Sequence, residues 1–227
     1  MKRRPIERQT IVAQALILLR REGLEGVTFR KLISRLKVKA PAIYWRFRDK
    51  QDLLEAMAES ILQEFFADWT PMQPGESSWQ VWLAHTMNRL RQAMLGYPDG
   101  GRVIAGARPH QTPTLARIAE CSLRALEDSG VPLATAAGIV FTAVHYTFGH
   151  VIEEQSSPSL DVLAGPAAAS VVSEFPTIAR LIQSSRDRGH TPQAIYELGI
   201  SLIIRGGEFV AADHMPPLKT GISQLPE

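Results

Sequence analysis

The chain has 227 residues, of which 45% are hydrophobic and 21% are charged, a composition typical of a protein that buries an apolar core. Its single cysteine, Cys121, excludes an intrachain disulfide and a cysteine-rich metal cluster, and its apolar neighbours favour a core position. No apolar run follows the basic start as in a secretory signal, and no run of about 18 apolar residues occurs. We therefore expect a cytoplasmic protein with no membrane partner.

Charge is divided unequally along the chain, although the net charge is only +2. Residues 1–50 contain 14 Lys and Arg against four Asp and Glu, whereas residues 51–227 contain 11 against 19. A basic segment followed by an acidic remainder indicates that the first segment meets a polyanion. A merely solvated surface would mix both signs, so the pattern favours nucleic acid binding.

Apolar residues at helical spacing predict four helices at the start of the chain. The first covers residues 6–22 and ends at two glycines, and Thr28 caps a short second helix. After a tight connection at residues 37–39, Pro41 starts a third helix that continues over residues 42–47. Asp49 caps a fourth helix that continues to residue 67.

A break rich in Pro, Gly and Ser at residues 70–78 separates this part from the remainder. The remainder has no alternating strand pattern, and helical spacing predicts helices over 79–95, 113–129, 132–155, 167–183 and 192–212. Residues 156–165 are predicted to be a mobile loop, and the tail after residue 213 to fray. The predicted fold is all-α, with an N-terminal three-helix domain over 1–50, a linking helix over 50–67, and a larger helical domain over 68–227.

Two short helices joined by a tight turn, after a packing helix, predict a helix-turn-helix. The second helix of such a pair enters the major groove of DNA with its first residues at base edges. Lysine can bond guanine, and small alanines can contact a thymine methyl group. At this helix we predict DNA contacts from Lys39, Ala40, Pro41, Ala42 and Tyr44.

Phosphate contacts are predicted where the neighbouring helices begin, at Thr28, Arg30 and Lys50, because exposed N–H groups there favour anions. Aromatic residues near the third helix could instead pack the small domain. We assign Phe47, and partly Trp45, to packing. Tyr44 is assigned to DNA, since it lies beside basic residues rather than in an apolar run.

Three segments carry a resemblance to a known family: Gly-Leu-Glu-Gly-Val-Thr-Phe-Arg-Lys-Leu (23–32), Ala-Pro-Ala-Ile-Tyr-Trp-Arg-Phe-Arg-Asp-Lys (40–50) and Leu-Leu-Glu-Ala-Met (53–57). Together they resemble the tetracycline-repressor family. The resemblance implies an all-helical homodimer whose two helix-turn-helix domains bind a palindromic operator one helical repeat apart. Lys37 stands where the family commonly has glycine, and a left-handed backbone there would cost about 1 kcal/mol.

The resemblance continues through Glu-Ser-Ser-Trp-Gln (76–80), Tyr-Pro-Asp-Gly-Gly-Arg-Val (97–103), Gly-Ala-Arg-Pro (106–109) and His-Tyr-Thr-Phe-Gly-His-Val-Ile-Glu-Glu-Gln (145–155). These segments are similar to the ligand-binding domain of tetracycline-sensing family members. They imply a ligand cavity and a dimer interface formed by the helices at 132–155 and 192–212. The ligand contacts implied by the resemblance are Phe66, Thr86, Leu90, Ile104, Arg108, Pro109, His145, Phe148 and Glu153.

Carried over position by position, the resemblance also implies a changed ligand. His145 matches a histidine near the bound drug, and Glu153 a glutamate that holds the metal through water. Ile104, however, replaces the histidine that binds magnesium directly, and it offers no donor atom. We therefore expect an apolar or aromatic ligand, with no metal and no cofactor.

Two histidines could have a structural role instead of binding a ligand or a metal. His145 could equally be a core residue. His150 and Glu154 are four residues apart on one helix, and we favour an ion pair between them over a metal site.

The predicted function is a ligand-responsive transcriptional repressor. A ligand would shift the loop at 97–112 and swing the helix at 50–67, so that the two DNA-binding domains no longer fit the operator. An activator or a constitutive DNA-binding regulator of the same fold is the alternative. An enzyme is not expected, because the sequence lacks a Gly-x-Ser-x-Gly motif, a Cys–His pair and a phosphate-binding glycine loop. A membrane-surface protein is not expected either. Such a protein would place its charges along one amphipathic face, whereas the basic residues here cluster around a turn and a helix that starts at a proline.

Overall fold

The computed structural model describes residues 6–73, 75, 78–156, 174–187 and 191–213. Over those residues the chain forms ten α-helices, one short 3-10 helix (Pro109–Gln111) and no strand, which confirms the all-α prediction. The helices are α1 (Arg8–Gly26), α2 (Phe29–Leu36), α3 (Ala40–Tyr44), α4 (Lys50–Phe65), α5 (Trp79–Leu95), α6 (Gly100–Ala105), α7 (Pro113–Asp128), α8 (Leu133–Ser156), α9 (Pro176–Asp187) and α10 (Pro192–Asp213).

Helices α1, α2 and α3 form the small N-terminal domain, in which α2 contacts α1 and α3, and α1 contacts α4. The predicted caps are confirmed: Thr28 Oγ1 accepts a hydrogen bond from the Lys31 N–H at 3.3 Å, and Asp49 accepts one from the Asp52 N–H at 2.8 Å. Lys37 ends α2 with φ +52° and ψ +42°. The turn of the helix-turn-helix therefore does hold a lysine in the left-handed conformation that glycine adopts more easily.

The largest differences from the predicted helix ends are at the ends of α1 and α3. In addition, α1 begins two residues later than predicted, at Arg8, and α4 ends two residues earlier, at Phe65. α1 runs on to Gly26 instead of ending at residue 22, with a break at Gly23, where φ is +67°. α3 ends at Tyr44 rather than residue 47, and a turn at Trp45 brings Phe47 into the core, where it is fully buried. The prediction that Trp45 partly packs is wrong, because this turn leaves its side chain 87% exposed.

α8 is the central helix of the remainder and contacts α5, α6, α7 and α10. The helices predicted at 79–95, 113–129, 132–155 and 192–212 are confirmed to within one residue at each end. The helix predicted over 167–183 overlaps α9, but its first residues, 167–173, lie outside the described residues. The predicted loop beyond Ser156 and the predicted fraying tail lie outside them too. Cys121 packs partly buried against the core, as predicted.

By length and composition, α8 is long and apolar enough to cross a membrane. The central helices of folded domains can have the same length and apolar composition. Seven of its residues are buried against neighbouring helices, among them Ile139, Val140 and Val151. We therefore assign α8 to the core.

The segment 97–112, predicted as a loop, contains α6 and the short 3-10 helix. Gly100 allows close packing in this segment. A Cβ atom at Gly100 would lie 2.1 Å from the carbonyl oxygen of Met94. α6 is thereby pressed against the end of α5, and it also contacts α4 and α8. α4 in turn contacts α1, so it links the two parts of the chain.

Candidate nucleic-acid interface and ligand-binding domain

We call the set of predicted DNA contacts the recognition surface: Thr28, Arg30, Lys39, Ala40, Pro41, Ala42, Tyr44 and Lys50. Thr28 and Ala42 are half-buried, and the others are exposed. The Tyr44 side chain is 55% exposed, while its ring stands edge-on to Phe29 with the centroids 5.3 Å apart. Phe29 therefore orients this ring without covering it.

Three basic residues of the recognition surface have no internal role. The side chains of Arg30, Lys39 and Lys50 make no hydrogen bond or ion pair with any residue that the structure describes. Their charges are therefore available to a polyanion.

Other basic residues of the N-terminal domain are committed to the fold. Arg8 donates hydrogen bonds to Asp52 Oδ1 and to the Arg46 carbonyl oxygen, both at 2.6 Å, and its guanidinium lies 4.1 Å above the Phe47 ring. Arg46 Nε donates to the Ile6 carbonyl oxygen at 3.0 Å. The basic charge of residues 1–50 thus includes cations that hold the domain together.

Asp52 is the carboxylate on which this cluster converges. Burial raises the pKa of Asp52, but the hydrogen bonds from Arg8 and from the Arg48 N–H together lower it by more. The pKa of Asp52 is therefore below its usual value. The ionised form is therefore stabilised at neutral pH.

A second set of polar contacts, which we call the junction, joins the N-terminal domain and α4 to the segment around α6. Asp99 precedes α6 with φ +56°, and its Oδ2 accepts the N–H of Leu24 at 2.9 Å. A Cβ atom at Gly23 would lie 2.9 Å from that same oxygen, so the break in α1 makes room for this contact. Arg20 donates to the Gly96 carbonyl oxygen at 3.2 Å and lies 3.8 Å above the Tyr97 ring.

α4 supplies the other side of the junction through two glutamates one helical turn apart. Glu55, which is only 2% exposed, accepts two hydrogen bonds from Arg108, at 2.6 and 3.2 Å. The hydrogen bond from Arg108 lowers the pKa of Glu55. Glu59 accepts the N–H and the hydroxyl of Thr114 at 3.0 and 2.7 Å. Gln51 adds a hydrogen bond to the Gly106 carbonyl oxygen at 2.9 Å.

The residues implied as ligand contacts differ in burial and in their place in the fold. Phe66, Thr86, Leu90 and Ile104 are buried. Phe148 is half-buried, and Arg108 and Pro109 lie at the start of the 3-10 helix. His145 and Glu153 lie on an exposed face of α8. The role of these nine residues as ligand contacts stays a prediction.

An aromatic cluster around Phe66 is absent from the sequence prediction. The ring centroids of Phe66 and Trp69 are 5.6 Å apart, as are those of Trp69 and Trp82. Trp69 Nε1 donates a hydrogen bond to Thr86 Oγ1 at 3.2 Å. The hydroxyl group of Thr86, a predicted ligand contact, therefore already has a partner within the chain. A cavity of about 640 Å³ opens beside this cluster and is lined by Phe65, Trp69, Trp82, His85, Thr86 and Arg89, among others.

Among the described residues, no group of three or more His, Cys, Asp or Glu side chains could hold a metal ion. His150 Nε2 lies 3.9 Å from Glu154 Oε2, too far for a hydrogen bond, and has no hydrogen-bond partner among the described residues. Glu154 accepts two hydrogen bonds from Arg91, both at 2.8 Å. This carboxylate is therefore engaged by a buried arginine.

Comparison with known proteins decides the family. The family described as bacterial regulatory proteins, tetR family, matches residues 11–57, and the tetracyclin repressor-like C-terminal domain matches residues 70–210. The chain belongs to the tetracycline-repressor family. As a family member it is a transcriptional regulator with a DNA-binding helix-turn-helix and a C-terminal ligand-binding domain, and such regulators are generally not enzymes.

Individual relatives agree over most of the chain. Tetracycline repressor protein class A from transposon 1721 of Escherichia coli is 34% identical over 203 residues, covering 88% of this chain and 90% of the relative. A possible TetR family transcriptional regulator from Streptomyces coelicolor A3(2) is 30% identical with a TM-score of 0.78, covering 90% of this chain and 100% of the other. A TetR variant from Acinetobacter baumannii AYE, in complex with minocycline, is 30% identical with a TM-score of 0.69, covering 91% and 98%.

Proposed function

We propose that this regulator is a homodimeric repressor that binds a palindromic operator through the recognition surface and is released by a small, largely apolar or aromatic ligand. The observation that carries the proposal is the uncommitted charge of Arg30, Lys39 and Lys50 around α3, beside arginines that are fully used inside the domain. Exposed cations around a helix that can enter the major groove suit operator DNA. A repressor of this kind acts where the DNA is, so we place it in the cytoplasm.

The proposed dimer uses the outer faces of α8 and α10. Phe141, Leu198, Leu202 and Phe209 are exposed there, although they are large and apolar. A groove of about 500 Å³ between the two helices is lined by Ile139, Gly206 and other small or apolar residues. Such a contiguous apolar face supports an isologous interface with a second copy. Native mass spectrometry should show two chains per particle, and a monomer at micromolar concentration would contradict the proposal.

The proposed ligand does not depend on magnesium. Ile104, in place of the histidine that binds the metal directly in tetracycline-sensing members, is completely buried and has no donor atom. We expect titration with tetracycline and Mg²⁺ to give no saturable signal at micromolar concentration. A signal in that range that requires the metal would overturn this part of the proposal.

The proposed switch runs through the junction. Residues 96–114 hold the N-terminal domain through Leu24 and Arg20, and hold α4 through Glu55 and Glu59. A ligand that binds better when this segment is displaced would shift the population of the DNA-binding state, and operator affinity would fall by the same coupling factor.

Operator binding tests the proposed function. The operator is first recovered by selection from random-sequence DNA, and its affinity is then measured by fluorescence anisotropy at several salt concentrations. We expect a palindromic sequence, two chains per operator, and an affinity that falls steeply with salt. Equal binding to anionic vesicles and to DNA, or a selection that yields no preferred sequence, would contradict the proposal.

A further inference from the structure

The cavity of about 640 Å³ between the end of α4, residues 68–70 and α5 combines aromatic walls with a guanidinium group. We call it the tryptophan cavity. We propose that it binds planar aromatic carboxylates, which stack on Trp82 and pair with Arg89. The inference deepens the proposed function, on which it rests, by naming the chemical class of the ligand and a binding place. Of the nine ligand contacts predicted from the resemblance, Thr86 alone lies on this lining.

The walls of the tryptophan cavity are fixed before any ligand arrives. Trp69 is almost buried, its indole N–H is held by Thr86, and Phe66 packs edge-on against its ring. Trp82 packs against Trp69 at a tilt of 42° and is partly buried. Rigid indole faces bury a flat ring at a low cost in conformational entropy. The cavity therefore favours planar aromatic ligands over flexible ones.

The tryptophan cavity has the Asp68 carboxylate and the Arg89 guanidinium on its lining and the Arg117 guanidinium beside it, a balance of charge that favours an anionic ligand. Arg89 lies on the lining and pairs with Asp68, and a second guanidinium, that of Arg117, lies 5.4 Å from the Trp69 ring. Arg89 also lies 5.8 Å from the Phe66 ring. Because guanidinium groups already lie over two of the aromatic rings, a cationic ligand would meet like charge there.

Asp68 is a replaceable partner for Arg89. The Asp68 side chain is 81% exposed, whereas the Arg89 side chain is 33% exposed. A surface pair of this kind contributes little stability, so Asp68 can turn toward solvent at low cost. A ligand carboxylate could then accept the two parallel hydrogen bonds that a guanidinium donates. His85 and Asn88, also on the lining, supply further polar contacts.

The position of the cavity also suits a signal. Phe65, the last residue of α4, lies on its lining, whereas Lys50, the first residue of α4, lies on the recognition surface. An occupant that displaces the end of α4 would therefore act on the same helix that meets the DNA.

Isothermal titration calorimetry of the full chain with 2-naphthoate tests the inference, with 2-naphthylmethanol and 2-naphthylmethylammonium as neutral and cationic probes of similar shape. We expect one saturable site per chain for 2-naphthoate, an affinity lower by about tenfold or more for the alcohol, and no binding of the ammonium. Arg89→Gln should weaken 2-naphthoate about tenfold or more, and Arg89→Lys should recover part of the loss. Arg124→Gln, at an exposed arginine of α7 outside the cavity, should bind as the unsubstituted chain does.

Trp82→Leu provides a second line of evidence, since it removes the stacking face and keeps Arg89. We expect it to weaken 2-naphthoate while circular dichroism shows an unchanged helix content. Absence of saturable 2-naphthoate binding, an equal affinity for the ammonium probe, or full affinity in Arg89→Gln would overturn the inference. Calorimetry needs no DNA, so these outcomes stand apart from those of the operator experiment.

Discussion

The recognition surface and the junction are built from the same kinds of residue but use them in opposite ways. On the recognition surface Lys39 and Lys50 are exposed, and neither pairs with any described residue. At the junction, Arg20 and Arg108 are each bonded to atoms of a different helix or connecting segment. One region offers its charges to a partner, whereas the other has already used them.

The difference shows that a basic segment cannot be read as one DNA-binding patch. Arg8, Arg20 and Arg46 add to the positive charge of residues 1–50, yet each donates to an acceptor inside the structure. The number of cations that can meet DNA is therefore smaller than the charge of the segment. Substitutions in the two regions should affect different measurements.

The largest expected effect lies just behind the recognition surface. Phe47 is fully buried and Trp45, two residues earlier, is 87% exposed. Phe47→Ala should lower the free energy of unfolding by about 3–5 kcal/mol, and Trp45→Ala by less than about 0.5 kcal/mol. Urea denaturation followed by circular dichroism measures both. Similar losses for the two variants would show that Trp45 packs against the domain after all.

Next in size is the effect of Tyr44→Ala on operator affinity. Its side chain is exposed beside Lys39 and is oriented by Phe29. We expect operator affinity to fall about tenfold to a hundredfold, since a contact of this kind contributes roughly 1–3 kcal/mol. Tyr44→Phe separates the hydroxyl from the ring, and Arg124→Gln is the control. Unchanged anisotropy curves for Tyr44→Ala would remove it from the DNA contacts.

At the junction, Glu55→Gln should affect stability more than DNA contacts. The substitution leaves Arg108 without its anionic partner, and a charged hydrogen bond contributes about 1.5–3 kcal/mol. The Arg108 side chain is half exposed, so solvent screening makes the expected loss smaller than for a buried pair. The urea midpoint should fall, whereas Glu127→Gln, at an exposed glutamate of α7, should leave it unchanged.

The same variant predicts a dependence on pH. The hydrogen bond from Arg108 lowers the pKa of Glu55 in the folded chain below its usual value of 4.5. The folded state therefore binds fewer protons, so this stabilisation is present above about pH 4.5 and is lost as the pH falls through the lower folded pKa. The difference in melting temperature between the unsubstituted chain and Glu55→Gln should be larger at pH 6 than at pH 3.5. A constant difference would contradict the ion pair.

The smallest expected effect concerns the turn of the helix-turn-helix. Lys37 has φ +52°, a conformation that costs a residue with a Cβ atom about 1 kcal/mol relative to glycine. Lys37→Gly should raise the free energy of unfolding by up to about 1 kcal/mol. Lys37→Ala keeps the strained Cβ and should give no gain, so equal urea midpoints for the two variants would show that the backbone is not strained.

Local signals explain why much of the fold could be predicted from the sequence. Thr28 and Asp49 cap helices through a backbone N–H only three residues away, and apolar spacing marks the long helices directly. Residue contacts across long separations have no such signal. Arg8 meets Asp52 across 44 residues and Leu24 meets Asp99 across 75, so their roles could not be read from spacing.

The candidate sites were predictable to different degrees for the same reason. The predicted DNA contacts follow one another closely in sequence around a single turn, so a short pattern is enough to propose them. The tryptophan cavity brings together Trp69, which follows α4, and Trp82 and Arg89 of α5. A segment that contains Pro and Gly separates these parts of the sequence, so no short sequence pattern predicts the cavity. Gly100, interpreted as part of a loop, in fact allows α6 to approach Met94.

The contrast between the free charges of the recognition surface and the bonded charges of the junction is tested most directly by the salt dependence of operator affinity. One variant from each region is compared. Lys50 lies on the recognition surface and is unpaired within the described residues, whereas Arg20 is held by Gly96 and Tyr97. Lys50→Ala should make the negative slope of log affinity against log salt shallower by about one, and Arg20→Gln should leave the slope unchanged. An equal loss of slope in both variants, or none in Lys50→Ala, would contradict the assignment of these charges.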